Sequence, residues 1–582
     1  MSAETVVLKF GSSVLESPGD IPSAVHEIYA WYRSGHRVVA VVSAIGRTTN
    51  ELIAEAAELA ASPEPYAFAE LLATGERKSA ALLGIALDRA GILSRVVDPR
   101  EIHLIAQGKP LDSEPALVGQ SRIHELLAST PVLVVPGFFG HDGEGRLHLL
   151  GRGGSDLSAA FLASATQAKR CRLLKDVDGV YDRDPALDPR RPAQRFATLG
   201  YGTAIRVAAP LVQPKAVRFI ERLGQSVEVA ALGQGDASVV GPQEDRLEPP
   251  PDRAPASVLI LGLGTVGRGV YERLQGLPSH FRVIGALCRD PERHAREGLA
   301  RGLLHGPDTS LERFSPDAVV DALPGLEPSR RIACHFLERG VSVVTANKRL
   351  AADAAAILEA AAGRSGAALR YSAAVGGSAP MIETLQRLAR RGAIRSIEGI
   401  LNGTCNYLLD RCAAGLPFAE ALAEAQSSGF AEANPEDDLI GADAARKLRI
   451  LARIAFGREL VAIDMRPLNA ASLARARRDL RIGQVLRVVS RACQDGARLL
   501  GEVSLCALDA SHPLASVAGE WNRLVVSPAQ GPDIAVSGRG AGRWPTAEAV
   551  IADLLELRRR KGHALPQAAQ LPAGRREESL RC

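Results

Sequence analysis

Asp443 and Lys447 stand four residues apart in "GFAEANPEDDLIGADAARKLRILARI" (429–454), a glycine-bounded stretch dense in carboxylates that runs into a helical pattern. On a helix that spacing puts both on one face. Leu448 and Leu451 beside Lys447 place its ammonium at the edge of a buried stripe. As an exposed ion pair the two would contribute only about 0.3–0.5 kcal/mol. Partly desolvated, they make a lysine held by a carboxylate, a group suited to protonating a developing oxyanion. Lys348, in "VVTANKRL", follows an apolar run at the strand end where α/β sheets bind ligands. Lysine is scarce here: of 70 basic residues only nine are lysine, and between Lys215 and Lys561 only these two occur. Lysine can exchange a proton near neutral pH when desolvated and arginine cannot, which marks both positions.

Glycine-rich turns supply the second kind of chemistry. "LILGLGTVGRGV" (259–270) runs from an apolar strand into a helix, the context in which such glycines bind a dinucleotide. Gly262 would make the tight turn, Gly264 the close approach to a pyrophosphate and Gly267 the helix–strand packing, with Thr265 and Val266 opening the helix at the phosphates. The next strand, "FRVIGALCRD", ends on Cys288 and Arg289 with an acid only at Asp290. An arginine there favours NADP, with NAD the alternative. Earlier, "VVLKFGSSVL" places Lys9 before a Gly/Ser turn. "LLGRGGSDLSAAFLA" puts Ser155 and Asp156 at a helix start, and "LLKDVDGVYDRDP" puts Asp176 and Tyr181 after a strand. Backbone N–H groups in such turns face phosphate, and a lysine there neutralises charge on a transferred phosphoryl group.

The elements that must position these residues alternate. "TVVLKF", "HRVVAVVSA", "TPVLVVPGFF" and "CRLLKD" read as buried strands, with helices around 51–61 and 66–90. After the proline-rich stretch "GPQEDRLEPPPDRAPA" the alternation restarts with "SVLILGLG", "FRVIGALC", "DAVVDAL", "VSVVTAN" and "ALRYSAAVG". The fold class is α/β, two units in series. The expected divisions are 1–240, a linker at 241–256, a dinucleotide domain at 257–375, an α+β part at 376–535, a return at 536–560 and a tail at 561–582.

Composition excludes other classes. The chain has 582 residues, 46% hydrophobic and 23% charged, with net charge +4 and no basic block, so nucleic acid is not an expected partner. No apolar run approaches the roughly 20 residues of a membrane span. Eight scattered cysteines without metal-ligand spacing read as reduced thiols of a cytoplasmic protein.

In the second half, "GLGTVG", "TANK", "VGGSAP", "ILNGTCNYLL", "GFAEANPEDDLIGADAARKL" and "GRGAGRWPTAEAVIADL" occur in the order found in homoserine dehydrogenases, which residues 256–560 resemble. The resemblance implies NAD(P)-linked interconversion of homoserine and aspartate 4-semialdehyde on a Rossmann domain carrying an α+β substrate and dimerisation domain. It implies Lys447 as proton donor and Lys348 near the nicotinamide and the reacting oxygen. Glu432, Asp438 and Asp443 would bind or orient the substrate, and Gly542 would close over the cofactor. It also implies a homodimer or higher homo-oligomer. The family commonly has an acid where this chain has Ser372, before a turn that binds sodium; the carbonyls of Val375 and Gly377 would be the ligands of a monovalent cation here.

Residues 4–232 resemble the amino-acid kinase superfamily, and most closely aspartate kinases, through "LKFGSSV", "VVSAIGRTTNEL", "LLATGERKSAALL" and "GRGGSDLSAA". The resemblance implies ATP with Mg2+ as phosphoryl donor and Lys9 on phosphate. It implies Ser43, Thr49, Glu76 and Arg152 around aspartate with Ser155 and Asp156 nearby, and Asp176 and Tyr181 at the nucleotide. The chain departs from the pattern in a phosphate loop one residue short, Lys175 in place of a threonine, Gln213 in place of a histidine and Pro210 in place of a lysine. It also leaves no room after residue 232 for the paired regulatory domains usual in aspartate kinases. The expected protein is a fused aspartate kinase–homoserine dehydrogenase with a kinase lacking that feedback module. The alternatives are an active dehydrogenase beside a degenerate kinase-like domain, or a kinase for another small acid.

Overall fold

The computed structural model describes residues 3–185, 193–209, 211–251, 254–495 and 498–561; Pro210 and the expected tail past 561 lie outside the described residues. The chain forms two compact units, the first spanning residues 1–253 apart from 90–92, the second running from 254 onward.

In the first unit, nine strands form one sheet: β1 (Thr5–Phe10), β2 (Arg37–Val42), β3 (Ser94–Val96), β4 (Val132–Pro136), β5 (Arg170–Lys175), β6 (Arg195–Gly200), β7 (Val227–Ala231), β8 (Ser238–Gly241) and β9 (Arg246–Glu248). Their order is β9-β6-β8-β7-β5-β1-β2-β4-β3. Central β1 runs parallel to both β2 and β5, with Lys9 opposite Val41 on one side and Leu173 on the other. Val6, Val7, Leu8 and Phe10 are wholly buried, so these strands read as unbroken apolar runs, as expected of a sheet covered on both faces. A smaller four-stranded sheet (Ile105–Lys109, Asp112–Leu117, Phe139–His141 and Leu147–Leu149) leads into the glycine turn before the helix Gly154–Ala165.

The stretch 241–256, expected as linker, contributes a strand: β9 pairs antiparallel with β6 and closes one edge of the sheet. Its polar composition hid this, because an edge strand needs backbone partners and tolerates charged side chains. The Arg195–Glu248 ion pair spans the same two strands. Described residues 232–251 therefore complete the first sheet, and they form no separate domain.

In the second unit, β10 (Ala256–Leu261), β11 (Phe281–Leu287), β12 (Leu304–His305), β13 (Ala318–Asp321), β14 (Ser342–Thr345) and β15 (Leu369–Arg370) form a parallel sheet. Its order, β12-β11-β10-β13-β14-β15, is the 3-2-1-4-5-6 of a doubly wound dinucleotide-binding sheet. "ALRYSAAVG" was expected to be a full strand. Only Leu369–Arg370 is extended, and Ser372–Ala374 turns into a short 3-10 helix, because the next residues form the glycine turn 376–377.

Six further strands, β16 (Ile394–Ile400), β17 (Ala462–Met465), β18 (Gln484–Asp495), β19 (Arg498–Asp509), β20 (Trp521–Pro528) and β21 (Ile534–Arg539), make a mainly antiparallel sheet ordered β17-β19-β18-β16-β20-β21. The helix Ala442–Phe456 packs on this sheet and on the helix Met381–Ala389. The chain then returns as the helix Arg543–Lys561, which packs along the helix Thr265–Gln275 and adds Ala547, Val550, Ile551 and Leu554 to the core of the dinucleotide sheet. No helix among the described residues is long and apolar enough to cross a membrane.

Candidate active sites

The glycine turn of the second unit has the geometry a dinucleotide needs. Gly262 takes φ +87, a left-handed conformation that other residues rarely adopt. A Cβ at Gly267 would lie 1.8 Å from the Gly262 carbonyl oxygen, whereas a Cβ at Gly264 would have nothing within 4 Å. One glycine is thus demanded by packing and the other leaves open space beside the start of the helix Thr265–Gln275, where N–H groups are free to meet phosphate. Thr265 is exposed and Val266 half-buried there. Beyond β11, Asp290 accepts a hydrogen bond from the Arg293 N–H at 2.9 Å and caps the helix Pro291–Arg296. With that carboxylate turned to the cap, exposed Arg289 is the charged residue left at the strand tip.

Lys348 is positioned by a buried polar chain that pattern reading did not find. Asp321, at the end of β13 and fully buried, accepts hydrogen bonds from the Thr345 hydroxyl (2.8 Å), the Ser329 hydroxyl (3.1 Å) and the Leu323 N–H (3.1 Å). Burial pushes its carboxyl up, and these three donors lower it only in part. Asn347 donates to Ser329 and accepts from the N–H groups of Arg349 and Leu350, capping the helix that starts at Lys348. A lone acid at a strand end carries no sequence signal that separates it from a surface residue.

Lys348 Nζ donates to Asp443 Oδ1 at 2.9 Å, and Lys447 Nζ lies 2.7 Å from Asp443 Oδ2. Lys447 also donates to the Leu401 carbonyl at 2.7 Å, leaving one of its three N–H donors for another acceptor. The helix Ala442–Phe456 fixes this geometry through Leu448, Ile450 and Leu451, all wholly buried. Each such side chain stabilises by about 1.5–3 kcal/mol, enough together to carry Lys447 into the interior. Asn402, a residue in "ILNGT" to which no role had been given, donates to Asp438 Oδ1 (2.7 Å) and Asp443 Oδ2 (3.2 Å).

The charges follow from this packing. Burial pushes the Asp443 carboxyl up, but the ammonium groups of Lys447 and Lys348 outweigh it and hold it well below the usual carboxylate range. For Lys447 burial dominates and lowers its value despite Asp443. For Lys348 burial also opposes charge, but Asp443, with Asp438 and Glu432 behind it, wins and raises it. Glu432 is exposed and Asp438 half-buried, so both stand at the open side of the cluster.

Gly542, exposed at φ +115, opens the returning helix. The buried Val375 and Gly377 lie on the turn after Ser372, where a Cβ at Gly377 would meet the Arg539 carbonyl oxygen at 2.3 Å. The Ser372 hydroxyl donates to Asp553 Oδ1 at 3.0 Å, so a carboxylate from the returning helix occupies the place beside 372 where the sequence has no acid. Among the described residues no group of three or more His, Cys, Asp or Glu is placed to hold a metal ion.

In the first unit, Lys9, Ser43, Thr49, Glu76, Arg152, Ser155 and Asp156 all line one cleft of about 540 Å³. Lys9 Nζ lies 2.8 Å from Asp156 Oδ1, and Lys175 Nζ donates to Asp156 Oδ2 at 3.2 Å. Glu76 accepts from the Ala44 N–H at 3.1 Å through one oxygen, while its second, Oε2, accepts no hydrogen bond. Burial pushes its carboxyl up to about 7 against the pull of that N–H and of Lys9. Asp176 is exposed and Tyr181 donates to Asp178 at 2.8 Å; neither lines the cleft. Lys175, known from the sequence only as a departure, does.

Fold and site together define an oxidoreductase of the nicotinamide-dinucleotide class, preceded by a phosphoryl-transfer type of α/β unit. Residues 262–372 match the homoserine dehydrogenase NAD-binding domain, residues 380–555 the homoserine dehydrogenase catalytic domain and residues 4–230 the amino acid kinase family. The homoserine dehydrogenase of Synechocystis sp. is 36% identical over 318 residues, 51% of this chain and 72% of that protein. That of Corynebacterium glutamicum is 35% identical over 337 residues, 54% of this chain and 75% of that protein. A crystal structure of a homoserine dehydrogenase from Thiobacillus denitrificans aligns with TM-score 0.50 and 31% identity, covering 54% of this chain and 77% of the other. The chain belongs to the homoserine dehydrogenase family, with an amino acid kinase domain fused ahead of it.

Two outcomes test this geometry. Gly267→Ala lowers the melting temperature and abolishes dinucleotide binding, whereas Gly264→Ala keeps the melting temperature and weakens binding alone; thermal unfolding beside NADPH fluorescence titration separates them. Asp443→Asn leaves Lys447 buried without its counter-charge and destabilises by about 3–5 kcal/mol in chemical denaturation at pH 7. Because the folded Asp443 pKa is depressed, its contribution is present above the ordinary aspartate value and lost as pH falls through the depressed one. In the variant the deficit narrows at alkaline pH, where the unpaired Lys447 gives up its proton.

Proposed function

We propose that the second unit interconverts aspartate 4-semialdehyde and homoserine with NADP, and that the first phosphorylates aspartate with ATP and Mg2+. The observation that carries the dehydrogenase reading is the convergence of Lys447 and Lys348 on Asp443. Their environments push the two lysines in opposite directions, the pattern that separates a proton-exchanging group from a fixed charge. When bound, the nicotinamide supplies or takes the hydride at substrate C4. Lys447 gives its proton to the substrate oxygen in reduction and recovers it in oxidation, while Lys348 stays charged and stabilises that oxygen. Glu432 and Asp438 hold the substrate ammonium, Gly542 lets the chain close over the cofactor, and Arg289 meets the extra phosphate of NADP. The Val375 and Gly377 carbonyls are the candidates for a monovalent cation such as sodium, with Asp553 supplying the nearby charge.

In the kinase cleft, Lys9 faces phosphate and Arg152 the substrate carboxylate. Ser43, Thr49 and Ser155 supply hydroxyls, and Mg2+ enters with the triphosphate, whose nucleoside lies toward Asp176 and Tyr181. The orphaned oxygen of Glu76 suits the substrate ammonium. A homodimer or higher oligomer is supported by exposed apolar Val461 and Met465 at the β17 edge and by Ile482. A cytoplasmic setting agrees with the seven described cysteines, all free.

Purified protein is expected to release ADP in an aspartate-dependent way and to reduce NADP with homoserine. Lys9→Ala stops only the first, and Lys447→Ala lowers the second roughly 10²–10⁴-fold. Threonine and lysine leave the ADP rate unchanged, since residues 232–251 complete the kinase sheet instead of forming a sensor. No ADP release with dehydrogenase turnover intact would sink the kinase reading alone. The apparent KM for aspartate falls as pH rises through about 7, where Glu76 ionises to meet the ammonium. Glu76→Gln flattens that dependence in a KM–pH profile.

A further inference from the structure

The floor of the kinase cleft holds more positive charge than it neutralises. Lys9 comes from β1 and Lys175 from the end of neighbouring β5, strands in register through Phe10 and Leu174. Both ammonium groups reach the same carboxylate: Lys9 at 2.8 Å from Asp156 Oδ1, Lys175 at 3.2 Å from Oδ2 and 3.4 Å from Oδ1. All three side chains are at least nine-tenths buried. One carboxylate balances one ammonium. Of the residues lining the cleft, the cations are Lys9, Arg152 and Lys175 and the acids only Asp156 and Glu76, and Glu76 is half-protonated near neutral pH. A buried surplus cation is unfavourable unless an anion joins it.

The setting suits an anion that changes shape as it reacts. Asp156 sits in the first turn of the helix Gly154–Ala165, where the helix dipole favours its charge and keeps it a fixed pivot. A Cβ at Gly11 would lie 3.2 Å from Lys9 Nζ, so glycine there keeps the ammonium open from above. Burial lowers Lys175 to about 8, the repulsion of Lys9 adding to this and Asp156 and Asp176 opposing it.

We propose that Lys175 is a second catalytic ammonium of the kinase, acting beside Lys9 on the phosphoryl group in flight, with Asp156 holding both in place. This rests on the kinase reading above. A carboxylate oxygen of the acceptor forms the new bond to the γ-phosphorus of a nucleoside triphosphate. The bond from that phosphorus to the bridging oxygen breaks, and its electron pair leaves with the nucleoside diphosphate. The product is an acyl phosphate, and no proton need move. The two ammonium groups offset the charge that gathers on the phosphoryl oxygens. Sharing one carboxylate lets each lysine turn from Asp156 to the phosphoryl group without a full charge being stranded.

The test uses the full-length chain with Lys175→Met and Lys175→Arg. The methionine variant is expected to lose roughly 10²–10³-fold in kcat for aspartate-dependent ADP release with KM for ATP little changed, and arginine to restore a large part of it. The wild-type rate holds below pH 8 and falls above it as Lys175 loses its proton, and the arginine variant lacks that fall. Lys9, Asp156 and Asp176 are the charged groups acting on Lys175, Glu76 and Arg152 line the same cleft, and all remain in both variants. ADP with aluminium fluoride, a stand-in for the transferred group, binds the wild type more tightly than ADP alone, and the methionine variant loses that gain. A methionine variant with wild-type kcat, or with the fluoride gain intact, overturns the role of Lys175 while the kinase reading stands. A wild type that releases no ADP overturns the kinase reading. The fluoride titration then still decides whether Lys175 meets a phosphoryl-like anion.

Discussion

Two ammonium groups held against a single buried carboxylate are the constraint on which the dehydrogenase unit depends. Lys348 arrives from the dinucleotide sheet and Lys447 from the helix on the antiparallel sheet, and Asp443 is where they meet. The apolar residues flanking Lys447 carry it into the interior, and Asp443 offsets the charge it brings there. The contact therefore ties the proposed chemistry to domain packing: the charge that stabilises the fold also sets the two lysines apart in proton affinity. Asn402, donating to both Asp438 and Asp443, extends the same tie to the strand-to-helix turn at its edge.

The kinase unit meets a related problem with a different scaffold. There the carboxylate is Asp156, and both lysines come from adjacent parallel strands of one sheet, so the geometry is set by strand register instead of by docking of two layers. In each cleft a helix N-terminal turn presents the acid, Asp156 and Asp443 both lying in the first turn after a left-handed glycine, Gly153 and Gly441. The two units have unrelated sheets yet arrive at the same electrostatic device, because a carboxylate at that position is stabilised by the helix even when buried.

What the sequence disclosed and what it hid divide along physical lines. Continuous apolar runs announced the central strands, and the glycine spacing announced the dinucleotide turn, because both are local requirements of backbone and packing. Lysine scarcity pointed to Lys348 and Lys447 for the same reason, since residue choice at one position is itself local. Asp321, Asn402 and Asp553 stayed hidden: each matters through a partner between 24 and 181 residues away. The strand Arg246–Glu248 was hidden by charge and proline around it, and Lys175 looked like a mere departure until its ammonium was seen on Asp156.

The preference for arginine over lysine has a chemical consequence of its own. The acyl phosphate and the amino-acid aldehyde of the two proposed reactions are electrophiles that neutral amines attack, with acylation or imine formation as the result. Arginine offers them almost nothing at physiological pH. Four of the nine lysines lie in the two candidate clefts, each beside a carboxylate and, in three of the four, buried away from the surface. A protein handling such electrophiles thus exposes few amines to them.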